Sequence, residues 1–316
     1  MANPSKRVSA ADESKRVSAA PARQRLSIPK AYKMYVGGAF IRSESGRYYQ
    51  VSGMTKGSAD AEVVNIPLGS RKDARDAVLA GKAALHGWSS RTAFNRGQIL
   101  YRLAEVLESR HEELVTSLVR AGSTERDAID EVNASVDRAV WYAGLADKIS
   151  ALVASHNPVS GPHFGFTLPE AMGLVAVLAP ESPALLGLVS TILPVIVSGN
   201  TTVVVAGERD PRTAVIFCEC LATSDLPGGV VNVLTGRAQD LGPQLAKHRE
   251  VNALEAWTPD AALRTSLERD GAGSVKRVKT HDAQGIAALR DEQRGQGLTY
   301  VERFLELKTI WHPAGI

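Results

Sequence analysis

Three short, uninterrupted apolar runs in the central part of this chain limit its fold most strongly. The runs span 173–179, 201–205 and 230–234, and longer apolar segments at 185–198 and 213–223 separate them. Unbroken apolar runs of about four to eight residues are typical of strands that are buried on both faces. The alternation therefore predicts right-handed βαβ units and a parallel sheet, with any ligand site in the loops that follow the strands.

Upstream of these runs, apolar residues recur at spacings of three, four and seven, which predicts amphipathic helices. One begins near Ser70, a plausible N-cap, and others span 93–110 and 125–153. In the longest helix we expect the charged face to point to solvent; this face comprises Glu125, Asp127, Glu131, Asp137 and Arg138. A strand-turn-strand pattern around Gly37 predicts a hairpin before the helices.

Charge is unevenly distributed. The chain has 37 basic and 34 acidic side chains, and residues 1–33 hold 8 of the basic and 2 of the acidic ones. The remaining residues, 34–316, therefore carry a net charge of −3. This acidic remainder argues against a general nucleic-acid-binding surface. The tail at 1–30 repeats Ser-Lys-Arg-Val-Ser-Ala-Ala at 5–11 and 14–20. We interpret it as a disordered basic arm, with a tether for an acidic partner or nucleic acid as the alternative.

The sequence does not predict a membrane-spanning segment, a disulfide bond or a metal site. The longest apolar run, 184–198, is too short to span a bilayer easily, and the start of the chain lacks the apolar core of a secretory signal. We therefore expect a cytoplasmic protein without membrane partners. Cys218 and Cys220 point to nearly opposite sides of a helix and cannot bridge each other. No histidine lies at ligand spacing from another ligand, so we predict no metal site.

Several motifs together resemble the aldehyde dehydrogenase superfamily. They are Tyr35-Val-Gly-Gly-Ala-Phe40, Gly199-Asn200-Thr201 and, most specifically, Asp225-Leu-Pro-Gly-Gly-Val-Val-Asn-Val-Leu-Thr-Gly236. The resemblance covers about 32–257. It implies an α/β fold, with a Rossmann-like parallel sheet domain, a helical N-terminal region, and a β-hairpin and C-terminal strand for oligomerisation.

The resemblance also shows which catalytic groups are replaced. The family's loop after the first strand carries an Asn that donates a hydrogen bond to the oxyanion. Counting back from Gly199-Asn200 puts Ser182 at this position and Glu181 beside it. A neighbouring carboxylate would oppose a developing negative charge, so Ser182 is a remnant of the oxyanion site.

The family's cofactor contacts are reduced in the same way. Val205 takes the place of the Lys that binds the adenosine ribose, and only Glu208 of that pair is kept, as a weak remnant. After Trp257 the chain reads Thr258-Pro259-Asp260, whereas the family has a Gly-Ser turn that meets the pyrophosphate. We therefore predict no bound cofactor; NAD(P) would be the cofactor if an altered site still worked.

The catalytic nucleophile is also missing. No cysteine occurs between Leu221 and Ile316, where the family's cysteine belongs. The family's general-base Glu has no clear counterpart, since Glu268-Arg-Asp-Gly271 matches its segment only vaguely. The thioester route is therefore closed, and the chain is predicted to be inactive on its own.

The last sixty residues complete the predicted organisation. Residues 259–297 are polar and glycine-rich, which predicts a linker with a short helix near 283–294. Phe304–Trp311 alternates like a strand and resembles the family's C-terminal oligomerisation strand. No partner for it is evident within the chain. The expected segments are a tail at 1–30, a family-like domain at 31–258, a polar linker at 259–297 and an oligomerisation strand at 298–316.

Two hypotheses about function follow. The first is a truncated, non-catalytic aldehyde-dehydrogenase-like subunit, a pseudoenzyme that assembles with itself or with an active full-length paralogue. The second is an NAD(P)-dependent oxidoreductase with an altered site. The sequence identifies neither the partner nor an aldehyde.

Overall fold

The computed structural model describes residues 28, 30–53 and 63–314. The repeats of the basic tail lie outside the described residues. Contacts group Ala31–Ile316 as one unit. No helix in the described part of the chain is long and apolar enough to cross a membrane.

The strands, in chain order, are β1 (Met34–Val36), β2 (Ala39–Ile41), β3 (Tyr48–Ser52), β4 (Val63–Pro67), β5 (Ser155–Asn157), β6 (His163–Ala171), β7 (Leu174–Leu178), β8 (Thr201–Val205), β9 (Val231–Leu234), β10 (Ala253–Trp257), β11 (Arg277–His281) and β12 (Leu305–Pro313). The helices are α1 (Arg71–Ser89), α2 (Ala93–Ser109), α3 (His111–Arg120), α4 (Glu125–Leu145), α5 (Ile149–Val153), α6 (Ala184–Val197), α7 (Arg212–Ala222), α8 (Ala238–Lys247), α9 (Ala261–Gly271), α10 (Ala283–Ala288) and α11 (Leu298–Glu302). Ser70 caps α1 as predicted, and its side chain accepts hydrogen bonds from the backbone of Lys72 and Asp73.

The central sheet has the strand order β11-β10-β7-β8-β9-β1-β2. Its first five strands are parallel, which confirms the predicted α/β fold. The β1–β2 hairpin extends this sheet through an antiparallel contact with β9, so the sheet is mixed. The chain moves to one side from β7 to β9 and then crosses to the other side of β7 for β10. The switch point therefore lies between β7 and β10, where sheets of this type form their ligand crevice.

Helices cover both faces of the central sheet. One face packs against α1, α8 and α9, whose apolar residues share a core with alternate strand residues. The other face packs against α6 and α7, with α2 and α4 in a further layer. Every residue of β7 and nearly every residue of α6 is buried, in accordance with their continuous apolar sequences.

The helix predicted over 125–153 is divided. A 3-10 turn at Ala146–Lys148 separates α4 from α5. The expectation that Glu131 and Arg138 face solvent is wrong, because they are only 5% and 3% exposed. Both side chains point toward α6, where they find hydrogen-bonding partners that offset the cost of burying a charge.

The segment predicted as a polar linker is ordered structure instead. It contains α9 and β11, and β11 pairs in parallel with β10 along its whole length. The expected short helix is α10. Linker-like composition misled the prediction because β11 is an edge strand, which needs only one partner and keeps polar side chains at its surface.

The C-terminal strand has a partner within the chain, contrary to expectation. β12 pairs antiparallel with β6 from Leu305 to Pro313, and β5 pairs with the other side of β6. These strands form a separate three-stranded sheet in which β12 and β5 are the edges.

Candidate functional site

The loops after β7, β8 and β10 lie at the carboxyl end of the central sheet and carry the residues aligned with the family's site. Ser182 lies between β7 and α6, and its hydroxyl accepts a hydrogen bond from Nη2 of Arg290 at 3.0 Å. Both side chains are exposed. Arg290 belongs to the segment between α10 and α11, so this part of the chain reaches the oxyanion-aligned position.

The carboxylate of Glu181 binds the neighbouring loop after β8. It accepts hydrogen bonds from the backbone N–H groups of Glu208 and Arg209, at 2.7 and 3.0 Å. These N–H groups belong to the loop after β8. Two adjacent backbone donors of this kind suit an anionic ligand, and here a carboxylate of the chain itself binds them.

The side chain of Glu208 forms an exposed ion pair. Its carboxylate oxygen lies 3.5 Å from Nε of Arg237, in the loop after β9, and both side chains are about half exposed. An exposed ion pair of this kind contributes little to stability. The structure places Glu208 at the carboxyl end of β8, but its role as a cofactor remnant stays a prediction.

The N-terminus of α6 is occupied by a side chain from α4. Oε1 of Glu131 accepts hydrogen bonds from the N–H groups of Leu185 and Leu186, at 2.8 and 3.3 Å. Burial raises the pKa of Glu131, while these hydrogen bonds and Arg290, 3.9 Å away, favour its charged form. The carboxylate thus satisfies the donors that a helix leaves open at its first turn.

Arg138, about two turns after Glu131 in α4, contacts the same region. Its Nη1 donates to the carbonyl of Leu289 at 2.7 Å and also to the hydroxyl of Ser190. The carbonyl of Asp291 accepts a longer bond from Nη2. Arg138 therefore ties the segment after α10 to the face of α6.

The N-terminus of α9, aligned with the pyrophosphate position, is capped by Asp260. Its carboxylate accepts hydrogen bonds from the N–H groups of Ala262 and Leu263, at 2.9 and 3.1 Å. The bonds from Leu263 and Ala262 lower the pKa of Asp260. A negative charge of the chain therefore lies where a phosphate would bind a helix N-terminus.

Neither cysteine is placed for nucleophilic chemistry. Cys218 and Cys220 are both free and buried within α7. Burial raises the pKa of Cys218 well above its usual range and that of Cys220 to about 11, although Arg110 lowers the latter. Thiols with raised pKa values are poor nucleophiles near neutral pH. Within the described residues there is also no cluster of three or more His, Cys, Asp or Glu that could hold a metal ion.

The sequence reasoning missed a buried charged cluster on β10. Oε1 of Glu255 accepts a hydrogen bond from Nη1 of Arg303 at 2.6 Å and lies 2.8 Å from Nε2 of His281. The His281 ring stacks on Trp257 with the ring centres 3.6 Å apart. A carboxylate within the buried run Ala253–Trp257 was the available signal, because a charge there needs partners.

Comparison with known proteins identifies the family. Residues 42–280 match the sequence pattern described as "Aldehyde dehydrogenase family". Cytosolic 10-formyltetrahydrofolate dehydrogenase from Mus musculus is 30% identical over 229 residues, 71% of this chain and 25% of that protein. Omega-crystallin from Enteroctopus dofleini is 27% identical over 253 residues, 78% of this chain and 50% of that protein.

Solved structures with a similar fold support the same family. An NAD-dependent aldehyde dehydrogenase from Sinorhizobium meliloti matches with a TM-score of 0.74 and 26% identity, over 80% of this chain and 50% of that chain. PnpE from Pseudomonas sp. WBC-3 matches equally well, over 80% and 51%. This chain thus spans about half the length of these structures. Because the family pattern covers well over half of its residues, the chain belongs to the aldehyde dehydrogenase family.

Proposed function

We propose that this chain is a non-catalytic aldehyde-dehydrogenase-like subunit that assembles through its three-stranded sheet. The partner is a second copy of the chain or an active, full-length aldehyde dehydrogenase. One observation carries the proposal: the sheet of β5, β6 and β12 leaves large apolar side chains uncovered on both of its faces.

The exposed side chains divide between the two faces. Phe164 and Leu168 lie on one face, 50% and 41% exposed, while Leu307 and Trp311 lie on the other, 60% and 61% exposed. Exposed apolar side chains that cluster on one small sheet can form a surface that another protein covers. β12 is also a nine-residue edge strand, which a further strand could extend.

The carboxyl end of the central sheet supports the non-catalytic part of the proposal. Backbone donors at α6, α9 and the loop after β8 are bound by Glu131, Asp260 and Glu181. No cysteine follows Leu221 in the sequence, and the two upstream thiols are buried. A dinucleotide would have to displace carboxylates of the chain before it could bind there.

The alternative function is an NAD(P)-dependent oxidoreductase with an altered site. Its support is the name of relatives such as the Sinorhizobium meliloti enzyme, which is called NAD-dependent. Calorimetric titration with NAD and NADP separates the two: we expect no binding below about 1 mM, whereas a micromolar dissociation constant favours the alternative. Aldehyde-dependent NAD(P) reduction that persists after C218S/C220S would also contradict the proposal.

Light scattering tests the assembly. We expect the intact chain to form a dimer or larger species, alone or with a coexpressed aldehyde dehydrogenase. L307K/W311K places two charges on one face of the three-stranded sheet and should release monomers. F94K/Y101K is the matched control, because it adds the same charges at exposed apolar residues on α2. A wild-type chain that stays monomeric with and without the coexpressed enzyme contradicts the proposal.

A further inference from the structure

The outer edge of β12 is open. In the part of the chain that the structure describes, β12 pairs with β6 on one side and with no strand on the other. Its middle residues, Leu307, Lys308 and Thr309, are all exposed. An uncovered edge strand carries a row of unpaired backbone groups and is a template for a further strand.

Two hydrogen bonds at the ends of β12 show which backbone groups point to the open edge. The N–H of Met172 donates to the carbonyl of Phe304, and the N–H of Ala314 donates to the carbonyl of Pro162. In an antiparallel pair only alternate residues bond to a given neighbour, and the register between these two bonds is continuous. Even-numbered residues of β12 therefore bond to β6, and the N–H and C=O groups of the odd-numbered residues point outward.

The ends of β12 limit how far a new strand can pair. The carbonyl of Leu305 already accepts a hydrogen bond from Nη1 of Arg277 at 2.7 Å. At the other end, Pro313 has no N–H to donate. The outward backbone groups that are free to pair thus lie within 307–311, a stretch centred on Thr309.

The side chains of β12 are self-complementary about the same centre. When Thr309 lies opposite Thr309 of a second, antiparallel copy, Leu307 lies opposite Trp311 on one face. On the other face, Glu306 lies opposite His312, whose imidazole can donate a hydrogen bond to the carboxylate. Two-fold symmetry makes each of these pairs occur twice, so both strands gain the same contacts.

The neighbouring registers match less well. Centring the pair on Lys308 places two ammonium groups directly opposite each other, and centring it on Ile310 places Lys308 opposite His312. In the register centred between them, Lys308 lies opposite Ile310 and keeps its ion pair with Glu170 at 3.1 Å. Charge therefore favours the same register as the free backbone groups do.

Given the proposed function, on which this step rests, we propose that the partner is a second copy of the chain, bound through β12 in the antiparallel register centred on Thr309. The two three-stranded sheets then form one continuous sheet across a two-fold axis. Leu307 and Trp311, 60% and 61% exposed in the single chain, contact each other across the junction. Glu306 binds Arg277 at 3.0 Å and is about half exposed, which leaves one side of its carboxylate open to His312.

Disulfide trapping between the variants E306C and H312C tests the register. Even-numbered residues bond to β6, so Glu306 and His312 of the second copy form a pair without mutual hydrogen bonds, with Cα atoms about 4.5 Å apart. This distance suits a disulfide. In the mixed dimer the other Glu306–His312 pair is retained.

We expect mild oxidation of the mixture to give at least about tenfold more disulfide-linked dimer than either variant alone, because two copies of one variant hold their new cysteines about 20 Å apart. E306C mixed with K308C is the matched control, since the same register separates these positions by about 13 Å. Circular dichroism of each variant shows that the fold is intact, and mass spectrometry identifies the linked peptides.

Light scattering of the wild-type chain separates failure of this step from failure of the proposed function. A dimer or larger species without excess linkage between E306C and H312C overturns the β12 register and leaves the assembly standing. A chain that is monomeric alone but binds a coexpressed aldehyde dehydrogenase overturns the second copy as the partner. A chain that stays monomeric in both cases overturns both proposals.

Discussion

The two ends of the central sheet differ in how their polar side chains are used. At the amino end, two asparagine side chains join distant parts of the backbone. Asn200 accepts from the N–H of Gly173 at 2.7 Å and donates to the carbonyl of Phe304 at 2.8 Å. Asn232 accepts from the N–H of Gly37 at 2.9 Å and donates to the carbonyls of Gly229 and Thr202.

At the carboxyl end, carboxylates bind backbone donors instead. Glu131, Glu181 and Asp260 each accept from two N–H groups in loops or helix ends where a ligand would otherwise bind. The asparagines at the amino end therefore hold distant parts of the fold together. At the carboxyl end, carboxylates of the chain already bind the backbone donors that a ligand would use.

The difference between the two ends shows that the family motifs in this chain belong to the fold and not to the ligand site. Asn200 and Asn232 belong to the two motifs that resemble the family most, Gly199–Thr201 and Asp225–Gly236. In this structure both asparagines stabilise the hairpin, the sheet and the C-terminal segment. A chain can thus keep the motifs of a fold while its site changes, because the motifs serve the scaffold.

We expect the largest loss of stability when an asparagine is removed from the amino end of the central sheet. Asn200→Ala leaves the Gly173 N–H and the Phe304 carbonyl without their buried partner, so we expect the free energy of unfolding to fall by about 3 kcal/mol. Urea denaturation measures this change. Hydrogen exchange should also show faster exchange in β12, because Phe304 directly precedes it.

The control is Asn133→Ala, which removes an exposed asparagine from α4. It should change the free energy of unfolding by less than about 0.5 kcal/mol. If Asn200→Ala lowers the free energy of unfolding by as little as Asn133→Ala does, the hydrogen bonds of Asn200 do not stabilise the fold.

At the carboxyl end, Glu131→Ala should have the next largest effect. It leaves the N–H groups of Leu185 and Leu186 unsatisfied at the buried start of α6, and we expect a loss of about 2 kcal/mol. Asp130→Ala, at an exposed position one residue earlier, is the matched control. Equal losses in the two variants, measured by urea denaturation, would show that Glu131 does not act as a cap.

The sequence predicted the parts of the fold that depend on local patterns. β7, β8 and β9 were recognisable because each lies in a short, mainly apolar run, and α1 because of Ser70 and its apolar spacing. α3 and β6 were missed. α3 is only ten residues long, and β6 contains Gly165 and Pro169, which interrupt the pattern expected of a strand.

The candidate site was less predictable because its contacts are long-range. Counting from Gly199-Asn200 assigned Ser182 and Glu208 to loops after β7 and β8, where the structure has them. However, Glu131 caps a helix that begins more than fifty residues later, and Glu181 binds a loop 27 residues away. No local pattern specifies such pairs, so a charged residue at a helical surface position was read as solvent-facing.

The charge of Glu131 gives a smaller, pH-dependent effect. Its pKa in the folded protein is raised above 4.5, so the folded state binds the proton more tightly than the unfolded chain does. The cost of the buried charge is therefore fully present above the folded pKa and is relieved as the pH falls toward 4.5. Glu131→Gln keeps an acceptor oxygen but cannot titrate.

We therefore expect wild-type protein to gain stability relative to Glu131→Gln when the pH is lowered from about 8 to about 5. Urea denaturation of both proteins at the two pH values measures the difference. A gain in the opposite direction would mean that the hydrogen bonds and Arg290 outweigh burial.

The smallest effects should come from the two residues aligned with the family's chemistry. Among the residues that the structure describes, Arg290 binds the hydroxyl of Ser182 and Arg237 forms an ion pair with Glu208; all four side chains are at least partly exposed. Ser182→Ala and Glu208→Ala should each change the free energy of unfolding by less than about 0.5 kcal/mol, because solvent replaces the lost partner. They should also leave the oligomeric state unchanged in light scattering. If either substitution instead abolishes a measurable NAD(P)-dependent turnover, the carboxyl end is a working site, and the difference between the two ends of the sheet no longer separates scaffold from chemistry.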